Sequence, residues 1–332
     1  MRSAFSSVAR ALASALALML LVNFSLAQPS GAAGFPSKPV RLVVPFPPGS
    51  STDIVSRLLA QRMSEAWGHQ VIVDNRPGAG GAIGVEQVAK AAPDGYTLVV
   101  GHIGTHGVNP SLFSKLPYDP INDFAPITQT VSLPLILAIH PSVPAKNVKE
   151  LTALAKAKQG QLNYASGGNG SAAHLAVEYY KLLAKIDLVH VPYKGTGPAL
   201  TDLMAGNVSL TITGMPPLMP HIKSGKLRAL AVTTAQRVEQ LPQLPTFAES
   251  GYPEYEINSW QAFFAPAGTP SDIVMKINGE IGRILKLPDM RDRLAGLGAV
   301  SVGSTPEQSR ALVKSEIAKW ARVVKAAGIR VD

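Results

Sequence analysis

Val40-Arg41-Leu42-Val43-Val44-Pro45-Phe46-Pro47-Pro48-Gly49-Ser50-Ser51-Thr52-Asp53 carries the signal from which the fold is read. A five-residue run suited to a buried strand enters a proline-rich turn, and Gly-Ser-Ser-Thr-Asp then opens a helix. Ile54, Val55, Leu58, Leu59, Met63 and Ala66 follow at helical spacing, which gives that helix one apolar face. Residues 71–73 predict a second strand, 83–91 a second helix, and 96–100 a third strand after the Pro93-Asp94-Gly95 turn. Short buried strands alternating with amphipathic helices are the pattern of α/β architecture.

The same grammar runs on to the end of the chain. Strands are predicted over 135–139, 162–165, 188–191, 208–213 and 227–232, with helices over 148–158, 198–205 and 217–224 between them. Asn147 and Glu150 suit the N-cap and third position of the first of these helices. Leu175, Tyr179, Leu182 and Leu183 mark the inner face of another. Thr269 and Thr305 each precede a proline at a first helical position. Ile273, Ile277, Ile281 and Ile284 line one of these last helices, and Val313, Ile317, Trp320 and Val324 the other. Two lobes of comparable size fit the length, with chain crossings near residues 132–140 and 256–264.

The chain has 332 residues, a formal charge of +9 and no cysteine. The missing thiol excludes disulfide scaffolds, thiolate metal sites, cysteine nucleophiles and a lipidated N-terminal cysteine. Arg2 and Arg10 precede an apolar stretch over 11–22, and Ser25-Leu26-Ala27 offers small residues for cleavage, so residues 1–27 read as a signal peptide. The expectation is a periplasmic protein that diffuses freely. In that compartment nucleic acid is an improbable partner, and the scattered basic residues form no patch for it.

The unusual residues fall in loops at the carboxyl ends of predicted strands, where α/β sheets hold their ligands. Residues 45–53 and Ser166-Gly167-Gly168-Asn169-Gly170-Ser171 each leave a strand and open a helix. Helix N-termini present free N–H donors and a partial positive charge; glycine lets the backbone approach, and Ser50, Ser51, Thr52 and Ser171 add hydroxyls. Each loop alone suits a helix cap, whereas two of one type in separate lobes suit an anion. Gly168-Asn169-Gly170-Ser171-Ala172-Ala173 matches the dinucleotide fingerprint, with Asp187 near the place of a ribose-binding acid. The pattern is short, glycine is abundant, and a nicotinamide cofactor is scarce outside the cytoplasm, so no cofactor is expected.

Catalytic readings are weaker. No serine lies in G-x-S-x-G. Ser171 and His174 suit a cap and an inward-facing histidine better than a catalytic dyad, although an exported serine hydrolase using them stands as the alternative. His102 and His106 have i,i+4 spacing without the glutamate of H-E-x-x-H, so no metal is expected; either could face a ligand. Asp53 and Asp202 fit the first turns of predicted helices, and Arg76 suits bracing its loop. Trp260, Phe263 and Phe264 read as core or hinge packing.

Several ordered motifs resemble the Bug-type substrate-binding receptors of tripartite tricarboxylate transporters. They are residues 43–49, Asp74-Asn75-Arg76-Pro77-Gly78-Ala79-Gly80-Gly81, Pro93 to Leu98, Tyr164 through His174, Val191-Pro192-Tyr193-Lys194-Gly195, residues 227–232, residues 244–251 and Ala265-Pro266-Ala267-Gly268-Thr269-Pro270. The similarity runs from about residue 36 to the end. It implies a two-lobed, type II-like periplasmic-binding-protein fold with a hinge, lobe 1 being 36–135 plus 260–332 and lobe 2 being 136–259. It implies a non-enzymatic receptor, most simply a monomer, that traps a small carboxylate and hands it to a membrane permease; a sensory receptor would look the same. Carried over, the carboxylate grip points to Phe46, Pro48, Gly49, Ser50, Ser51 and Thr52 in one loop. In the other it points to Ser166, Gly167, Gly168, Asn169, Gly170 and Ser171. The rest of the ligand is expected at Thr105, His106, Tyr193 and Thr213. The sequence departs from the family at Ser209 and Thr213, where acidic residues are frequent, and this weakens an amino-acid ligand.

Overall fold

The computed structural model describes residues 34–327. The signal-peptide segment 1–27 therefore lies outside the described residues. β1 (Val40–Val44) is almost wholly buried and pairs in parallel with β2 (Val71–Asn75) on one side and β3 (Thr97–His102) on the other. Helices cover both faces of such a strand, which is why its sequence is a continuous apolar run rather than an alternation. α1 (Ser51–Trp67) buries Val55, Leu59 and Met63 and stops at Gly68, whose φ of 67° ends the helix in the left-handed conformation. α2 (Ala82–Ala89) links β2 to β3. After β3 come a wide turn over Ile103–Val108 and the short α3 (Asn109–Leu112).

β4 (Phe124–Ile139) organises the whole sheet. Sequence reading recovers only its last five residues, because Pro126 and Pro134 interrupt the apolar run and proline argues against a central strand. Both prolines sit where the ladder tolerates them. The register shifts between Pro126 and Thr128, and Pro134 is the last residue paired with β9 (Asn258–Pro266). Beyond it, Leu135 to Ile139 pair antiparallel with β7 (Leu210–Gly214) on one edge, and Ile136 to Ile139 with β8 (Arg228–Val232) on the other.

Between these strands lie α4 (Val148–Ala157), β5 (Asn163–Ser166), α5 (Ala172–Ala184), β6 (Val189–Pro192), α6 (Thr196–Ala205) and α7 (Met215–Lys223). The chain closes with α8 (Ser271–Lys286), α9 (Pro288–Gly296), β10 (Val300–Ser301) and α10 (Pro306–Ala327). Asn147 caps α4 as expected, its side chain accepting from the Glu150 N–H. Pro306 begins α10, whereas Pro270 is the N-cap of α8 rather than its first helical residue. Ile273, Ile277, Ile281 and Ile284 are buried along α8.

The strand order β2-β1-β3-β9-β4 is repeated as β6-β5-β7-β4-β8. In each half three parallel strands meet one antiparallel strand that arrives from the other half, and a fifth strand parallel to the first three follows. Alternation along β4 sends Leu135, Leu137 and Ile139 into one core and Ile136 and Ala138 into another. The repeat matters for function because it places two equivalent strand–turn–helix corners, β1–α1 and β5–α5, at strand carboxyl ends.

Candidate functional site

The first corner is built by Gly49 and Ser50. Gly49 takes a φ of 80°, and Ser50 (φ −69°, ψ 158°) caps α1 by accepting from the Asp53 N–H. Asp53 is tied into the corner itself. Its carboxylate accepts from the Gly49 N–H at 2.9 Å, from Asn75 Nδ2 at 2.9 Å and from Arg57 Nε at 3.0 Å. Burial pushes its pKa up, but these donors outweigh burial and hold it below the usual value. Asn75 Nδ2 also holds the Phe46 carbonyl, which fixes the proline-rich turn to β2.

The second corner has the same backbone. Gly170 takes a φ of 75°, and Ser171 (φ −68°, ψ 156°) caps α5 by accepting from the His174 N–H. Beneath it the His174 and His190 rings stack 4.3 Å apart, and His190 stacks in turn on Tyr164. His174 Nδ1 accepts from the Gly170 N–H, and His190 Nε2 bonds Ser166 Oγ at 2.7 Å. Burial lowers both histidines; with its partner's proximity added, His190 falls to about 4. The Ser171 hydroxyl is thus engaged by the His174 main chain, not its ring, and the pair is a cap with a buried imidazole rather than a nucleophile and its base.

Both corners open onto one cavity of about 50 Å³. Ser51 and Thr52 line it from the first helix, Ala172 and Ala173 from the second. At these first two helical positions the amides have no acceptor among the described residues, as helix geometry requires. Phe46, Ser50, Gly167, Ser171, Thr196 and Thr213 contribute further walls, and Leu133, Leu135 and Ser259 close it where β4 and β9 cross. His102, at the end of β3, stacks on Phe46 at 4.3 Å and also faces the cavity. Its Nδ1 accepts from the Gly104 N–H at 2.6 Å, so the ring proton sits on Nε2 as a donor; burial drops its pKa to about 3 and keeps it neutral. No carboxylate side chain lines the cavity among the described residues. The two halves meet tightly around it. A methyl group on Gly214 would collide with Ser51 Oγ, and one on Gly195 would lie 2.9 Å from Pro47 Cγ.

The profile of the tripartite tricarboxylate transporter family receptor matches residues 55–329. The chain belongs to this receptor family. Protein BugT of Bordetella pertussis is 38% identical over 94% of this chain and 96% of its own length. R. palustris Rpa4515, solved with adipate, is 39% identical with a TM-score of 0.87, covering 90% of this chain and all of that one (100%). MatC from Rhodopseudomonas palustris, solved with malate, is 37% identical with a TM-score of 0.84 over 87% of this chain and 100% of its own. The α/β fold is therefore the two-lobed fold of periplasmic binding proteins that the motifs imply. Among the described residues, no helix is long and apolar enough to cross a membrane, and no group of three or more His, Asp or Glu side chains is placed to hold a metal.

Within this receptor fold the expected site residues separate into three groups. Phe46, Ser50, Ser51, Thr52, Gly167, Ser171 and Thr213 line the inner cavity. Gly168, Asn169 and Tyr193, with Phe46, Gly167 and Ser171 again, line a second space beside it. Tyr193 gives its hydroxyl to Asp202 at 2.6 Å, and burial followed by that carboxylate raises its pKa to about 12. Pro48, Gly49, Ser166, Gly170, Thr105 and His106 line neither space. Pro48 and Gly49 face solvent, while Ser166 and Gly170 shape the second corner from behind. Thr105 and His106 are fully buried; His106 bonds Thr105 Oγ1 and stacks on Phe264.

His102 holds the position facing the cavity that sequence reading left open between the two histidines. Its place as the last residue of β3, two residues beyond the strand end read from the sequence, puts it on the ligand side of the sheet. Asp202 is the seventh residue of α6, not in its first turn, and serves Tyr193 and Asn207. Ser209 is tied to Asn163, remote from the cavity lining.

Proposed function

We propose that this protein is an extracytoplasmic solute receptor that binds a small organic carboxylate between its lobes and delivers it to the permease of a tripartite tricarboxylate-type transporter. One observation carries the reading: two capped helix N-termini, one from each half, bring Ser51, Thr52, Ala172 and Ala173, whose amides have no acceptor among the described residues, to the wall of the same cavity. Four oriented N–H groups and two helix dipoles compensate one carboxylate without a cation. The Nε2–H of His102 and the Thr213 hydroxyl add donors. An ammonium group would find no anionic partner there, so the ligand is an acid without an amino group. The solved relatives with adipate and malate support the ligand class.

The protein works without turnover. Cleavage after Ala27 releases a periplasmic monomer, and closure swings 36–135 plus 260–332 against 136–259 about β4 and β9. A ligand that touches both lobes favours the closed form by its differential affinity for that form. Isothermal titration of the protein, unfolded and refolded to strip bound ligand, tests the reading with aliphatic mono- and dicarboxylates against amino acids. Heat from non-amino carboxylates, lost in the Gly170→Val variant, is the expected result. Tighter binding of aspartate or glutamate than of every other acid would overturn the ligand class.

A further inference from the structure

The cleft continues past the inner cavity. An outer chamber of about 610 Å³ shares Phe46, Gly167 and Ser171 with it as walls. The two spaces differ in scale. The inner one, about 50 Å³, has room for a few water-sized groups, which suffices for a carboxylate and its adjacent carbon. The outer one has the size of sites that hold whole small molecules.

They differ in chemistry as well. The inner walls present helix termini and hydroxyls beside Leu133 and Leu135, while the outer walls present Pro47, Pro77, Phe113, Pro192 and the ring of Tyr193 beside Asn169 and the Gly78 to Gly81 backbone. The Tyr193 hydroxyl already donates to Asp202, so it can offer a ligand only an acceptor. No carboxylate lines the chamber among the described residues, and its one cation, Lys194, is exposed. A short, hydroxyl-rich acid would fill the inner cavity and leave apolar walls against water.

We propose that the ligand is an organic acid with an extended, largely apolar body: its carboxylate sits at the two helix N-termini, and a chain of about four carbons or more lies in the outer chamber along Phe113 and the prolines. This rests on the carboxylate-receptor reading above and narrows its substrate class.

Isothermal titration with succinate, glutarate, adipate, suberate and malate separates the two claims. Each added methylene that enters the chamber tightens binding about threefold to fourfold, and adipate exceeds malate by at least about tenfold. Phe113→Ala flattens the length series and Phe113→Leu flattens it partly, with thermal unfolding confirming that both variants fold. Malate or succinate binding tighter than adipate and suberate overturns the inference and leaves the receptor reading standing. So does a length series that Phe113→Ala does not change. No heat from any acid, in folded protein stripped of ligand, removes the receptor reading and this inference with it.

Discussion

The corners Gly49-Ser50 and Gly170-Ser171 are near-copies in backbone and opposites in what stands behind them. Their serines agree within 2° in both dihedrals, and their glycines differ by 5° in φ. Behind the first lies an ionic cluster of Asp53, Arg57 and Asn75; behind the second lies a stack of neutral rings, His174, His190 and Tyr164. A glycine in the left-handed region followed by a capping serine is therefore enough to aim a helix terminus. The support is free to differ, and it decides how each corner responds to acid and to substitution.

The strongest way to break the equivalence is to keep the corners apart. Gly214 has an ordinary φ of −59°, so its substitution acts through crowding against Ser51 and not through backbone strain. Gly214→Val is expected to weaken carboxylate binding by about a hundredfold, or about 2.7 kcal/mol, while circular dichroism stays native. Unchanged affinity would mean that the halves need not approach this closely.

Acid should separate the corners next. The folded pKa of His190 lies near 4 against 6.5 for the free side chain, so the unfolded state binds the extra proton. Stability is then complete above about pH 6.5 and is lost as pH falls toward 4, by about 1.4 kcal/mol per pH unit for one such group. The depressed Asp53 acts lower: its contribution is present above its unfolded value of 3.8 and disappears only as pH drops through its still lower folded value. Denaturation midpoints between pH 7 and 5 should fall, and His190→Gln should make that slope shallower. An identical slope in the variant would assign the loss to the other buried histidines, His174, His102 and His106, all of them lowered by burial.

Two smaller tests sharpen the comparison. A side chain on Gly49 enters open space, whereas one on Gly170 lies 3.4 Å from Asn109 Oδ1 and 3.5 Å from Leu112 Cδ1. These are ordinary contact distances, so Gly49→Ala and Gly170→Ala should each cost the left-handed strain of about 1–2 kcal/mol in chemical denaturation. A clearly larger loss at Gly170 would show that the second corner cannot take even one added methyl group. Ser50→Ala and Ser171→Ala each remove one cap and should each cost about 1 kcal/mol; a large inequality would mean that one support compensates for its cap.

Local chemistry made much of this legible in the sequence. β1, the apolar face of α1, the Asn147 cap and the isoleucine row of α8 follow from periodicity and capping alone. So did the pairing of two glycine–serine loops. What escaped depends on long-range placement. β4 was shortened because Pro126 and Pro134 carry a local penalty that a bulge and a change of partner absorb. α9 and β10 escaped because α9 offers little apolar periodicity and β10 is two residues paired to a distant strand. Thr105 and His106 lie in a wide turn whose side chains fold back into the core, and nothing in Gly101 to Gly107 marks which histidine ends the strand.

β4 also dictates an order of events when the chain first acquires structure. The exposed flank of β3 is covered by β9, and β9 is synthesised only after every strand of the other half. A chain that emerges N-terminus first must carry that open strand edge, a template for association with other chains, until the far segment arrives. Sheet closure between such distant segments is slow because loop entropy is lost before the ladder forms. The exchange of strands between the halves thus leaves the first half with one unpaired edge until β9 has been made.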